Sequence, residues 1–312
     1  MNPTEENLPS GLRPCHVRHD VQRAETDVNP PRAKRAPKVA LMLSSFVLVA
    51  LACSTTMTGR RQLTLIDDAK MDQLGIAAFR DLKAEEKVST DAAMNRYVRC
   101  VADAIINVIP KGGAAPEDGN WEVLVFEDPT PNAFALPGGK VGVHTGMLKV
   151  ATTPGQLAAV IGHEIGHVLL RHGNERLSQS VVAQSVLEAS AIALDQMTPQ
   201  YRDLALGGLG VGAQYGVLLP FSRKHESEAD VVGQRFMAEA GFNPAEAVVL
   251  WEKMAKLSQG QQPPQWMSTH PADETRIQRL QANLPETTEL YRKARAEGKN
   301  PRCVPPATAS KG

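Results

Sequence analysis

Aromatic side chains make up only 4% of this 312-residue chain, and neither sign of charge prevails, since 34 lysines and arginines stand against 34 aspartates and glutamates. With a pI near 7.1 and no basic stripe interleaved with aromatics, the sequence lacks the footprint of a nucleic-acid-binding protein. There are four cysteines, none in the spacing of a zinc knuckle. No internal repeat extends the C-terminus, so a helical arm for recruiting partners is not expected. The run Gly207-Gly208-Leu209-Gly210-Val211-Gly212 invites a phosphate-loop reading. It follows no expected strand and lacks a lysine-serine ending, so nucleotide is not expected either. A mobile lid or close helix packing suits the Leu204–Leu219 stretch better. The apolar run from Val39 to Ala52 is shorter than the roughly 20 residues of a comfortable transmembrane helix.

What the chain does contain is His163-Glu164-Ile165-Gly166-His167. On a helix, positions i and i+4 share a face, so both imidazoles can bind one metal ion while Glu164 lies beside the first. Zinc held by three protein groups keeps a position for water and lowers its pKa from about 15.7 to roughly 7. Glu164 is then placed to take the water's proton and return it to a leaving amine. The flanks support a helix. Thr153-Pro154-Gly155-Gln156 supplies a capping threonine, proline at the first position and glutamine at the capping-box position, and Gly173 offers a stop. A third ligand is expected from Ser222-Arg223-Lys224-His225-Glu226-Ser227-Glu228-Ala229-Asp230. There Glu226 and Asp230 share a helix face, one to bind metal and the other to orient a ligating histidine. Spacing alone does not choose between Glu226 and Glu228, and His225 competes with both.

These two segments, together with Ser268-Thr269-His270-Pro271, Thr58-Gly59-Arg60-Arg61-Gln62-Leu63, Asn132 to Lys140 and Phe242-Asn243-Pro244, resemble the HtpX-like and Oma1-like family of gluzincin zinc metallopeptidases, in its periplasmic lipoprotein branch. The resemblance covers nearly all of the chain after Cys53. It implies one Zn²⁺ on His163, His167 and Glu226, Glu164 as general base, and Asp230 behind the ligands. It also implies His270 as a regulatory fourth ligand and Arg276 as a group that orients a carboxylate or stabilises an oxyanion. A hairpin over Phe134–Leu136 and Val141–His144 offers an edge for an extended peptide, and the resemblance gives Val141, Gly142 and Val143 that role. His144 reads as structural. The implied activity is an endopeptidase that cleaves unfolded or misassembled envelope proteins. The alternative is a zinc-stabilised, chaperone-like binding protein with little turnover.

The N-terminus suggests an address. Pro31 to Lys38 is basic, Val39–Ala52 suits a signal-peptide core, and Ala50-Leu51-Ala52-Cys53-Ser54 looks like a lipoprotein processing site. Residues 1–52 are therefore expected to be removed and Cys53 lipidated. With Ser54 next, the expected location is the periplasmic face of the bacterial outer membrane, the competing reading being an uncleaved inner-membrane anchor. Residues 53–65 read as a linker, 66–298 as the peptidase domain and 299–312 as a tail. The remaining pair, Cys100 and Cys303, is expected to form a disulfide in an oxidising compartment. Periodicity predicts a helix-dominated α+β domain with a small sheet. Its helices are expected at Ile66–Lys87, Asp91–Ile109, Glu175–Asp195, Phe221–Ala240, Pro244–Leu257, Ala272–Leu284 and Glu286–Ala296, with a strand at Trp121–Phe126.

Overall fold

The computed structural model describes residues 53–194, 221–258, 266, 269–270 and 274–306. The expected signal segment 1–52 and the glycine-rich 204–219 stretch lie outside them. Ser54–Gly312 forms one compact unit. Two short strands, β1 (Cys53–Thr55) and β2 (Arg61–Leu63), pair with each other. Helix α1 (Asp68–Glu85) starts at Asp67, whose carboxylate accepts from Lys70 N. Helix α2 (Ala92–Ile106) starts at Asp91, which accepts from Ala93 N and Met94 N. In each case the side chain satisfies amides that the first helical turn leaves unpaired. Tyr97, Val98, Val101, Ala102 and Ile105 form the buried stripe of α2, the spacing of one face of a helix.

The main sheet has three strands in the order β3 (Glu122–Phe126), β5 (Lys140–His144), β4 (Ala133–Leu136). β5 runs parallel to β3 and antiparallel to β4, so that Val141 lies opposite both Val123 and Ala135. The β4–β5 turn uses Gly138 and Gly139 at φ 76° and 69°, a region that costs side-chain-bearing residues strain. After the short α3 (Met147–Val150) comes α4 (Pro154–Leu169), with Thr153 Oγ1 accepting from Gln156 N and Pro154 at its start. From Gly155 to Leu169 every residue of α4 is buried. A helix enclosed on all sides is the centre of its domain, and α4 packs against β4, α2 and three later helices.

Those later helices are α5 (His172–Leu194), α6 (Arg223–Glu239) and α7 (Ala245–Ser258), followed by α8 (Glu274–Ala296) against α6 and α7. α4 ends at Leu169 with Leu170 as its cap, and Gly173, expected as the stop, lies in the first turn of α5 instead. Arg171 breaks the helix with φ 55°. The two helices expected at the C-terminus are one, running through Pro285. Proline forfeits one backbone hydrogen bond, but Leu280 and Thr287 are buried on either side of it, and packing on both sides holds the axis together. Cys100 in α2 and Cys303 beyond α8 are joined by a disulfide with Cα atoms 5.6 Å apart. The result is a helix-dominated α+β domain with small sheets.

Candidate metal centre and active site

Glycine decides how close the two chemistry-bearing helices come. A Cβ on Gly233 of α6 would lie 2.7 Å from His163 N, and one on Gly162 would lie 2.9 Å from Gly233 O. Both are inside any tolerable contact, so α4 and α6 touch backbone to backbone. That approach brings the α6 carboxylates within reach of the α4 imidazoles. Ser222 caps α6 by accepting from His225 N, which leaves Glu226 in the first turn.

One ligand atom each from His163, His167, Glu226 and His270 lies within 4.8 Å of the others, and all four residues are buried. His163 Nε2 is 3.1 Å from His167 Nε2, 3.2 Å from His270 Nδ1 and 3.5 Å from Glu226 Oε2. His167 Nε2 is 3.4 Å from Glu226 Oε1, and His270 Nδ1 is 3.0 Å from the same oxygen. A tetrahedral ion bound at roughly 2.0–2.1 Å separates its ligand atoms by about 3.3 Å, so the spacing fits zinc. The donor chemistry agrees. The other ring nitrogen of His163, Nδ1, lies 3.0 Å from Asp230 Oδ1. With its Nδ1 proton turned toward that carboxylate, a neutral His163 would leave the Nε2 lone pair for a cation to take.

The electrostatics are those of a charged centre cut off from water. Burial pushes the Glu226 carboxyl up, but His163, His167 and His270 outweigh it and hold it well below the ordinary carboxylate range. Burial pulls His163 down, and Asp230 and Glu226 overcome it, raising the ring to about 9. For His167 burial wins, and its pKa falls well below the usual value. Asp230 is fixed from behind by Arg276, whose Nε and Nη2 each lie 2.7 Å from one of its oxygens. Arg276 Nη1 is 2.7 Å from Glu226 Oε2, and the guanidinium stacks on Trp251 at 3.6 Å. Arg276 is 4% exposed with these three nitrogens committed to carboxylates. Of the two expected roles, these contacts fit the orienting one rather than the oxyanion one.

The competition left open by spacing is resolved by direction. Glu226 faces the imidazoles, whereas Glu228 turns to Arg60 at 2.7 Å and His225 to Glu175 at 3.0 Å. Two further residues escaped the sequence reading. His172 places Nδ1 3.0 Å from His167 Nδ1, and the Trp266 indole donates to Glu164 Oε1 at 2.6 Å. His172 stands five residues past His167, outside helical spacing, and Trp266 is distant in sequence, so neither gave a periodic signal.

The substrate-strand expectation is also corrected. Val141, Gly142 and Val143 lie in β5, which is hydrogen-bonded to a strand on each side and so has no edge to offer a peptide. The edge is β4. Beside it a cavity of about 130 Å³ is lined by Ala135, Leu136, Val168, Met71, Phe221 and His167. His144, buried at the end of β5, lies 3.3 Å from Glu86 and packs edge-on against Phe126 and Phe134, a structural setting.

Comparison with known proteins matches the sequence model of peptidase family M48 to residues 92–284. The mitochondrial metalloendopeptidase OMA1 of Schizosaccharomyces pombe is 39% identical over 191 residues, 61% of this chain and 53% of that protein. The OMA1 protein of Danio rerio is 39% identical over 261 residues, 80% of this chain and 54% of that protein. The beta-barrel assembly-enhancing protease of Escherichia coli is 27% identical over 209 residues, covering 66% and 42%. The chain thus spans about half the length, or less, of these relatives. The expected place on the bacterial outer membrane is overturned, because the relatives matched at 35–39% identity are mitochondrial metalloendopeptidases. Among the described residues, no helix is long and apolar enough to cross a membrane. On the match to more than half of its length, with the HEIGH helix and the carboxylate helix inside the matched span, the chain belongs to peptidase family M48.

Proposed function

We propose that this chain is a zinc-dependent endopeptidase acting on unfolded or misassembled proteins, with residues 66–298 as its catalytic domain. The observation that carries the reading is the buried set His163, His167, Glu226 and His270, converged at the spacing of a tetrahedral ion. Zinc bound there would supply an acidified water and polarise a peptide carbonyl. His163, His167 and Glu226 are the permanent ligands in this reading. His270, brought in by a segment outside α4 and α6, fills the remaining position until it moves aside.

Glu164, next to the first ligand on α4, takes the proton from the attacking water and delivers it to the leaving nitrogen. Asp230 and Arg276 keep His163 and Glu226 in place. An extended substrate would pair with the outer edge of β4, taking its affinity from main-chain hydrogen bonds that any unfolded sequence provides. An apolar side chain of that substrate fits the cavity beside Leu136 and Val168. A membrane tether through lipid on Cys53 belongs to this proposal too, with no compartment attached to it. An intact mass showing an unmodified Cys53 would remove that element.

The test pairs the purified chain with Glu164→Gln. One zinc per chain in both proteins, with casein cleavage in the parent and none in the variant, is the expected result. Zinc in both with cleavage in neither, after removal of the His270 side chain as well, would favour a non-proteolytic binding protein. A parent that binds no zinc would end the metal reading.

A further inference from the structure

His172 is fully buried, and a break in the backbone puts it there. Arg171 is the one non-glycine residue with positive φ among the described residues, held by bidentate contacts to Asp68 at 2.8 and 2.5 Å. In an unbroken helix, residues five apart point about 140° away from each other. The turn at Arg171 instead brings the His172 ring back against the His167 ring, with centroids 4.9 Å apart. Beyond it, His172 Nε2 lies 3.2 Å from Glu228 Oε2. Glu228 in turn takes Arg60 Nε at 2.7 Å and the hydroxyls of Thr56 and Thr58. Arg60 spans onward to Glu175 at 2.8 and 2.6 Å, and His225, bonded to Glu175, stacks on His172 at 4.4 Å.

The bookkeeping of ring protons gives this chain a direction. A neutral imidazole carries one N–H. If His172 donated from Nδ1 to His167 Nδ1, the His167 proton would sit on Nε2 and block ligation, and His172 Nε2 would turn a lone pair on the Glu228 carboxylate. In the opposite arrangement every group is matched. His172 donates from Nε2 to Glu228 and accepts at Nδ1 from His167, which leaves the His167 Nε2 lone pair facing the metal site. The carboxylate therefore selects the tautomer two rings away, and Arg60 holds the carboxylate in place.

We propose that Arg60, Glu228 and His172 form a positioning relay that fixes His167 in its metal-binding tautomer and orientation, coupling the Thr56–Arg60 turn to zinc affinity. The proposal rests on the metal reading of His163, His167 and Glu226. Under it the two ligating histidines are steered by different groups of one helix, His163 by Asp230 directly and His167 by Glu228 through His172. None of the three relay residues touches substrate or metal, so each is a positioning residue.

The test titrates zinc into the full chain and its variants after metal removal, records the Co²⁺ absorption spectrum of each, and checks folding by near-UV circular dichroism. Loss of such an outer partner weakens metal binding by about 10–100-fold, the result expected for His172→Leu. His172→Asn, which keeps an acceptor near the Nδ1 position, recovers part of that loss, and Arg60→Gln weakens binding several-fold. The Co²⁺ bands shift in all three. A merely structural role would lower apoprotein stability without separating Leu from Asn in zinc affinity or moving the Co²⁺ bands. Should His172→Leu fail to fold, His172→Asn and Arg60→Gln decide. A parent that binds one zinc, loses it in His167→Ala, and keeps its affinity within twofold in the relay variants would overturn the relay alone. A parent with no zinc would overturn the metal reading beneath it.

Discussion

Trp266 donates its indole N–H to Glu164 Oε1 at 2.6 Å, so the carboxylate assigned to proton transfer is held by a fully buried ring. The same ring stacks on Trp251 at 5.0 Å, and Trp251 receives the Arg276 guanidinium. One packed assembly thus links Arg276, bonded to Asp230 and Glu226, to the carboxylate proposed to move protons. A hydrogen bond of this kind contributes a net of about 0.5–1.5 kcal/mol, enough to restrain the carboxylate from turning toward a substrate. Trp266→Phe keeps the stacking surface and removes the donor. Its basal cleavage of casein should rise about three- to tenfold, with zinc content unchanged, and unchanged rates would show that Glu164 is not restrained.

His270 reaches His163 and Glu226 with Nδ1 and lies 3.6 Å from Glu164 through Nε2. His270→Ala should therefore raise basal proteolysis and weaken zinc binding together. Assays of both that match the parent would remove His270 from the switch role.

The backbone contact at Gly162 and Gly233 makes a sharp stability prediction. Gly233→Ala puts a methyl within 3 Å of His163 N, and overpacking of this kind costs about 1–3 kcal/mol. A lower Tm accompanied by weaker zinc binding is expected, because separating α4 from α6 moves both ligand sets. A Tm within a degree of the parent would show that the helices yield freely.

Acid should loosen the cluster around Arg60. Burial pushes the Glu175 carboxyl up, but hydrogen bonds from His225 and Arg60 outweigh it and hold its pKa at about 2, below the ordinary value near 4.5. A depressed carboxyl stabilises the fold above the unfolded value, and that contribution is lost as pH falls from 4.5 towards 2. In Glu175→Gln the fall in Tm across this window should be shallower than in the parent. Parallel curves would assign the acid sensitivity to other groups.

The Cys100–Cys303 disulfide closes a separation of 203 residues. Cross-links of this kind stabilise mainly by restricting the unfolded chain, typically by 2–4 kcal/mol. Reduction, or Cys303→Ala, should lower Tm, and thiol labelling of the unreduced protein should find neither cysteine free.

The sequence by itself determined what repeats along one chain direction. Helical spacing put His163 and His167 on one face, Thr153 and Pro154 marked the start of their helix, and Glu226 with Asp230 carried the same four-residue period. Such signals are legible because they follow from local geometry alone. Strand order was not legible. The segments 134–136 and 141–144 read as a hairpin, but only the parallel pairing of β3 with β5 decided that β5 lies between two strands. Pro285 misled for the same reason, since a local breaker yields to packing on both sides. Direction was tertiary too: Glu226, Glu228 and His225 are chemically able ligands on one turn, and the approach of α6 to α4 at Gly162 and Gly233 selects which faces the imidazoles. The αL break at Arg171 and the reach of Trp266 have no period to detect. They exist because distant segments fold onto one buried charge centre, where every polar group needs a partner.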